Sequence, residues 1–129
     1  MRTVVRRAAL VAYCGLIFYL SSRNDYPSEL VWYPGWLPES HLVAHFFLYA
    51  GLGLVAVICF RSEKALWLKS NSVAMAVIFC AMYGLSDEIH QHFVPGRIME
   101  FKDLIADTAG AAFAVMASGI IKLKRDRNK

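Results

Sequence analysis

Four long apolar runs, separated by polar stretches, dominate the pattern of hydrophobic and polar positions along the chain. The second run is the clearest, because residues 42–60 hold His45 as their only ionisable side chain apart from Cys and Tyr. A helix that crosses a bilayer needs about 20 predominantly apolar residues. The pattern therefore predicts an all-α protein with four transmembrane helices, at residues 4–22, 42–60, 72–92 and 104–121.

The third run is the least obvious of the four. Its apolar part, residues 72–85, is too short to cross a bilayer alone. Nothing in residues 86–92 breaks a helix, and Pro95-Gly96 supplies a stop just beyond them. We therefore predict one helix that continues to His92 and holds Asp87 and Glu88 at or just below the membrane surface.

Composition agrees with a membrane protein formed by one domain, residues 1–129. Hydrophobic residues make up 57% of the chain, above the roughly 45–50% of soluble domains, and charged residues only 19%. Such a chain is neither disordered nor typical of a soluble domain. The three cysteines lie in apolar runs, where a free thiol behaves as a small hydrophobic group.

The charge distribution predicts the orientation of the helices. Eleven of the fourteen Lys and Arg residues fall in the N-terminal segment, the 61–71 loop and the C-terminal tail. Because positive charge accumulates on the cytoplasmic side, we predict that both termini are cytoplasmic. The basic residues flank apolar segments, so no nucleic-acid partner is expected. The first segment lacks a small-x-small cleavage site, which favours a retained helix over a signal peptide.

The loop between the first two helices, residues 21–40, is rich in aromatic residues and proline. Tyr26, Trp32, Tyr33 and Trp36 suit the headgroup region of a bilayer, where amphipathic rings partition. Two interpretations stay open for this loop, an interfacial anchor or a lid over a site.

Polar residues inside three of the helices are the main clue to function. Each helix carries one polar stripe at helical spacing: His41, His45 and Tyr49; Tyr83, Asp87 and Gln91; Asp103, Asp107 and Gly110. Charged residues within membrane helices usually face a bundle interior or a water-filled cavity. We therefore predict that the three stripes meet in one polar recess near the outer leaflet.

Other interpretations of these residues remain open. A single intramembrane His or Asp often only hydrogen-bonds a neighbouring helix. Glu88 follows Asp87 directly, so we expect it to point elsewhere, either toward Arg97 or toward the headgroups. Arg97 itself is suited to bind a phosphate through its planar guanidinium group or to anchor the chain at the membrane surface.

A metal site is not predicted. His41 and His45 have the spacing of two ligands on one helical face, and Asp87 and Glu88 offer oxygen ligands. However, His90 and His92 project about 200° apart on a helix. The sequence contains no His-Glu-x-x-His and no cysteine pair. We expect neither a metal nor an organic cofactor.

One motif runs from Asp87-Glu88 through Gln91 to Phe93-Val94-Pro95-Gly96-Arg97. It is followed by Asp103 and by Ala106-Asp107-Thr108-Ala109-Gly110. Together these residues resemble the pattern of the VanZ-like family of small bacterial membrane proteins. His45 with Tyr49 and Gly53 resembles the His-x-x-x-Tyr signature of this family. Tyr19-Leu20-Ser21-Ser22 resembles the Ser-rich end of the family's first helix. The chain departs from the family in two ways: His41-Leu42 replaces a common Asp-Lys, and Asp107 replaces an Asn.

The resemblance implies a multi-pass protein of the bacterial cytoplasmic membrane, in a family associated with resistance to glycopeptides, especially teicoplanin. It also implies partners among envelope lipids, including polyprenyl-linked precursors. The function we expect is binding of a lipid headgroup, with modification of that headgroup as an open second step. A non-catalytic binding or scaffold protein is the alternative.

Roles follow for the residues of the expected recess. In an enzyme, His45 or Asp107 would exchange the proton, and Asp87 would orient the histidine. The headgroup would contact side chains of five further residues, namely Gln91, Arg97, Asp103, Tyr49 and Glu88. No nucleophile stands out, so the sequence does not decide between catalysis and binding, and it gives no oligomeric state.

Overall fold

The computed structural model describes residues 1–23 and 40–127, and side-chain burial is described for residues 1–23 and 41–120. These residues form five helices, α1 (Arg2–Ser21), α2 (Ser40–Arg61), α3 (Leu66–Ser70), α4 (Ser72–His92) and α5 (Phe101–Arg127). Four of them are long and apolar enough to cross a membrane. The aromatic loop at residues 24–39, with its anchor and lid interpretations, lies outside the described residues.

The four long helices alternate in direction along the bundle. At one end, Arg7 of α1 donates a 2.7 Å hydrogen bond to Glu63, which lies in the turn after α2. At the other end, Ser21 of α1 contacts Asp87 near the end of α4. We call this second end, where α1 and α4 finish and α2 and α5 begin, the polar end.

The Arg7–Glu63 contact fixes the end of α1 opposite the polar end. The hydrogen bond from Arg7 lowers the pKa of the Glu63 carboxyl. The pair therefore stays charged to a more acidic pH than an isolated glutamate would allow.

Helix α2 is the centre of the bundle, and it contacts α1, α4 and α5. Small residues bring α2 and α5 together, because Gly110 lies directly against the backbone carbonyl of Phe46, and Gly53 against Ala111. Close approach through small residues is the usual way in which membrane helices associate. The buried core along this contact includes Leu52, Ala56, Val57, Ala111 and Val115.

The four predicted helices agree with the four long helices observed, apart from shifts at their ends. The third predicted helix does continue to His92, as the absence of a breaker indicated. The last helix begins at Phe101, earlier than the predicted 104, and the short helix α3 was not predicted. Helix α3 has no buried residue, so no apolar pattern marks it.

Candidate functional site

A histidine held between two aspartates lies near the polar end. The Nδ1 atom of His45 on α2 is 2.9 Å from Oδ1 of Asp107 on α5, which is a hydrogen bond. Its Nε2 atom lies 3.9 Å from Oδ2 of Asp103, one helical turn away on α5. His41 lies one turn before His45, with Nε2 3.5 Å from Oδ1 of Asp103. The polar stripes predicted on α2 and α5 therefore face each other.

Glu88 brings a third carboxylate to this histidine from α4. The side chain is fully buried, and it accepts a 2.9 Å hydrogen bond from the backbone N–H of Glu100. One potential ligand atom from each of His45, Glu88 and Asp107 lies within 4.8 Å of the other two. Within the described part of the chain, Oε1 of Glu88 and Oδ2 of Asp107 are buried without a hydrogen-bond partner.

Asp87 belongs to a separate hydrogen-bonded group at the junction of α1 and α4. The Ser21 hydroxyl donates a 2.6 Å hydrogen bond to Asp87 Oδ1, and the Gln91 amide donates one of 3.2 Å to Oδ2. All three side chains are buried. Both carboxylate oxygens of Asp87 are therefore satisfied by neutral donors from the protein.

A cavity of about 140 Å³ lies between α1, α2, α4 and the loop that follows α4. Its polar lining comes from six residues: Ser21, His45, Tyr49, Asp87, Gln91 and Arg97. The Tyr49 hydroxyl is fully buried and has no hydrogen-bond partner among the described residues. A larger groove of about 590 Å³ on α2 and α5 is almost entirely apolar, so the smaller cavity is the candidate site for chemistry.

Comparison with known proteins assigns the chain to a family. A family model described as VanZ/LLP1 matches residues 8–122, which is most of the chain. The chain belongs to the VanZ-like family. No curated protein and no solved structure shows a significant match to it.

The VanZ-like motif residues of this chain divide into two adjoining groups. Five of the eight predicted site residues line the cavity, namely His45, Tyr49, Asp87, Gln91 and Arg97. The three others, Glu88, Asp103 and Asp107, do not line it but surround the imidazole of His45. His45 is thus the residue that joins the cavity to the carboxylate group.

Two predicted roles were wrong. The carboxylate that orients His45 is Asp107, because Asp87 instead accepts hydrogen bonds from Ser21 and Gln91. Glu88 points neither away from the recess nor to the surface, since its side chain is fully buried beside His45. Helix α4 is covered on two sides, so adjacent residues can both be buried while facing different helices.

The remaining predicted positions take structural roles. Tyr83 donates its hydroxyl to the backbone carbonyl of Cys14 on α1, at 2.6 Å. Gly110 lies at the contact of α5 with α2. His90 lies 2.9 Å from the Ser22 hydroxyl, and His92 is exposed, so neither joins His45.

Sequence reasoning missed Ser21 as a candidate site residue. Its hydroxyl lines the cavity and is bonded to Asp87, an acceptor for its proton. The signal was present in the Ser-rich end of the first apolar run, which carried part of the family resemblance. A serine at a helix end is common, however, and only the contact with Asp87 marks this one.

Proposed function

We propose that this VanZ-like protein binds the polar headgroup of an envelope lipid in the cavity at the polar end of its bundle. The observation that carries the proposal is the cavity itself, which has six polar side chains among its lining, within a bundle of membrane-capable helices. Polar and ionisable groups within membrane helices are costly and are typical of functional sites. The buried, unsatisfied hydroxyl of Tyr49 in this lining favours a ligand that supplies its partner.

The size of the cavity favours a small polar group. An engineered protein cavity of about 150 Å³ holds a benzene molecule, whereas pockets for drug-sized ligands measure about 300–1,000 Å³. A volume of about 140 Å³ therefore suits a phosphate or a comparable headgroup. We propose that any effect on glycopeptide sensitivity acts through an envelope lipid and not through capture of the antibiotic in this cavity.

The polar residues of the lining favour phosphate as part of that headgroup. Arg97 lines the cavity and offers a planar set of donors that matches phosphate oxygens. The Gln91 amide and the Tyr49 hydroxyl are neutral donors in the same lining. Polyprenyl phosphates are accordingly the lipid class that we propose, in the cytoplasmic membrane, with both termini of the chain in the cytoplasm.

One pair of contacts favours a catalytic step as the second candidate. A histidine oriented by a carboxylate and facing a cavity is the arrangement of a general base. His45 has this geometry with Asp107, and the Ser21 hydroxyl lies in the same cavity. The reaction class would be phosphoryl or headgroup transfer, with His45 moving the proton.

Comparison of envelope lipids in cells with and without the gene tests both candidates. Complementation with wild type, His45→Gln or Asp107→Asn then separates them. An enzyme predicts headgroup changes that depend on the gene and that both variants abolish at equal protein levels. A binding protein predicts altered lipid amounts with unchanged headgroups. Identical lipid profiles in all strains would contradict the proposed function.

A further inference from the structure

We propose that His45, Glu88 and Asp107 form a binding site for one divalent transition-metal ion, for which Zn²⁺ is the test ion. The three residues come from α2, α4 and α5, and one ligand atom from each lies within 4.8 Å of the other two. The site adjoins the cavity through His45. It goes beyond headgroup binding, and it requires no lipid to form. It is an alternative to the proton transfer by His45, because an imidazole nitrogen bound to a metal has no lone pair for a proton.

The burial of the carboxylates points to a cation. Glu88 and Asp107 are both fully buried, and each has one oxygen without a hydrogen-bond partner in the described part of the chain. Buried carboxylates are normally paired, fully hydrogen-bonded or bound to a metal. An ion between them would give both unsatisfied oxygens a partner.

The charge of the whole polar end makes the same point. Four buried carboxyl groups, Asp87, Glu88, Asp103 and Asp107, lie in this region, and among the residues that line the cavity the one guanidinium is that of Arg97. A second positive source in such a region would strengthen the attraction of an anionic headgroup. A divalent ion supplies it at the edge of the cavity, where His45 lies.

The ligand types favour a transition metal over Mg²⁺ or Ca²⁺. Imidazole suits Zn²⁺ and its neighbours, whereas Mg²⁺ and Ca²⁺ prefer oxygen ligands alone. Three protein ligands and an open position are the usual pattern of a catalytic zinc site. Ligands of a tetrahedral zinc ion with bonds near 2.1 Å are about 3.4 Å apart. The widest ligand pair, at no more than 4.8 Å, needs to contract by up to about 1.4 Å to reach that spacing.

No metal site was predicted from the sequence, which contains neither a His-Glu-x-x-His motif nor a cysteine pair. The proposed ligands are separated by 43 and 19 positions along the chain and share no motif spacing. Only the packing of three helices brings them together. The proposal replaces the expectation that the protein binds no metal.

Calorimetric titration of the EDTA-stripped, full-length protein in detergent with ZnCl₂ tests the site. We expect one Zn²⁺ per chain for wild type, and at least tenfold weaker binding for Glu88→Gln and for Asp107→Asn. These amides keep the shape and one acceptor oxygen, so circular dichroism should show a retained helical fold. The matched control is Glu63→Gln, which removes the carboxyl bonded to Arg7 at the opposite end of the bundle. This variant should bind Zn²⁺ as wild type does.

The outcomes separate this site from the proposed lipid function. Absence of stoichiometric Zn²⁺ binding, or equal binding by Glu88→Gln and Glu63→Gln, would overturn the metal site. Tighter binding of Mg²⁺ than of Zn²⁺ would overturn the ligand assignment. A parallel titration with polyprenyl phosphate in EDTA measures lipid binding without the ion, so either inference can fail while the other holds.

Discussion

At the scale of single residues, the site is defined by polar atoms that the protein does not satisfy. The hydroxyl of Tyr49 is the simplest example, because it is fully buried, belongs to a residue that lines the cavity and lacks a partner among the described residues. Leaving a buried polar group unsatisfied costs about 1–3 kcal/mol. Such a cost is tolerated where a ligand supplies the missing hydrogen bond.

Replacing Tyr49 with phenylalanine should therefore separate function from stability. We expect Tyr49→Phe to unfold at the same temperature as wild type or higher, and to bind polyprenyl phosphate about 2- to 12-fold more weakly, as expected for one hydrogen bond. Thermal unfolding and lipid titration in detergent measure the two effects.

Tyr83→Phe is the matched control for this experiment. The Tyr83 hydroxyl is already bonded, to the carbonyl of Cys14, so its loss should lower stability and leave lipid affinity unchanged. The same loss of lipid affinity in both variants would contradict the assigned role of Tyr49.

Gly84 should be needed to keep Asp107 in place. A Cβ atom at this position would lie 2.9 Å from Oδ2 of Asp107 and 3.2 Å from Leu104. We expect Gly84→Ala to displace the carboxylate and to weaken Zn²⁺ binding at least tenfold. At Gly15, a Cβ meets nothing within 4 Å, so Gly15→Ala should bind as wild type does. Equal Zn²⁺ affinity in the two variants would show that Asp107 is not held by this contact.

Helical spacing predicted part of the site and missed the rest for a physical reason. His41 and His45 lie one turn apart on a single face, and that face does meet α5. The spacing also predicted that Asp87 and Glu88 lie on different faces of their helix, since neighbouring residues point about 100° apart. It could not show that α4 is covered on both sides, by Ser21 of α1 and by α5.

At the scale of helices, the contact between α2 and α5 holds the histidine against its aspartate. A Cβ atom added at Gly110 would lie 2.1 Å from the carbonyl oxygen of Phe46, which is the residue after His45. A backbone atom cannot move aside as a flexible side chain does. The spacing of the two helices, and with it the His45–Asp107 bond, therefore depends on glycine at this position.

Gly110→Ala should destabilise the bundle by about 1–3 kcal/mol, the usual range for overpacking, and more if the helices cannot separate. Gly119→Ala on the same helix is the control, because a Cβ there meets nothing within 4 Å. Thermal unfolding in detergent checks both variants. Similar stability of Gly110→Ala and Gly119→Ala would contradict the close contact.

The helices themselves were predictable because their apolar runs have the length that a bilayer demands. The extension of α4 to His92 followed from the absence of a breaker and the Pro95-Gly96 stop. The early start of α5 at Phe101 was not predicted, since Lys102 and Asp103 interrupt the apolar pattern. Asp103 is nevertheless buried, because it faces the two histidines of α2.

At the scale of the whole molecule, the orientation in the membrane decides which lipids reach the cavity. The excess of Lys and Arg in the N-terminal segment, the 61–71 loop and the C-terminal tail predicts that these parts are cytoplasmic. The polar end, where the cavity lies, would then face the outer side. The cavity would be accessible to headgroups of the outer leaflet.

Labelling of single cysteines tests this orientation. In a background without Cys14, Cys59 and Cys80, we expect His92→Cys to react with a membrane-impermeant maleimide in intact spheroplasts. Lys64→Cys is equally exposed but at the opposite end, and it should react only after lysis. The reverse pattern would place the polar end in the cytoplasm.

Binding of a polyprenyl phosphate to the purified protein tests the central claim most directly. The measurement is a titration in lipid nanodiscs, with the matching polyprenol, which lacks the phosphate, as the comparison ligand. The account predicts at least tenfold tighter binding of the phosphate by wild type, and loss of most of that preference in Arg97→Gln and His45→Gln. Equal affinity for the two lipids, or a preference that both variants retain, would contradict it.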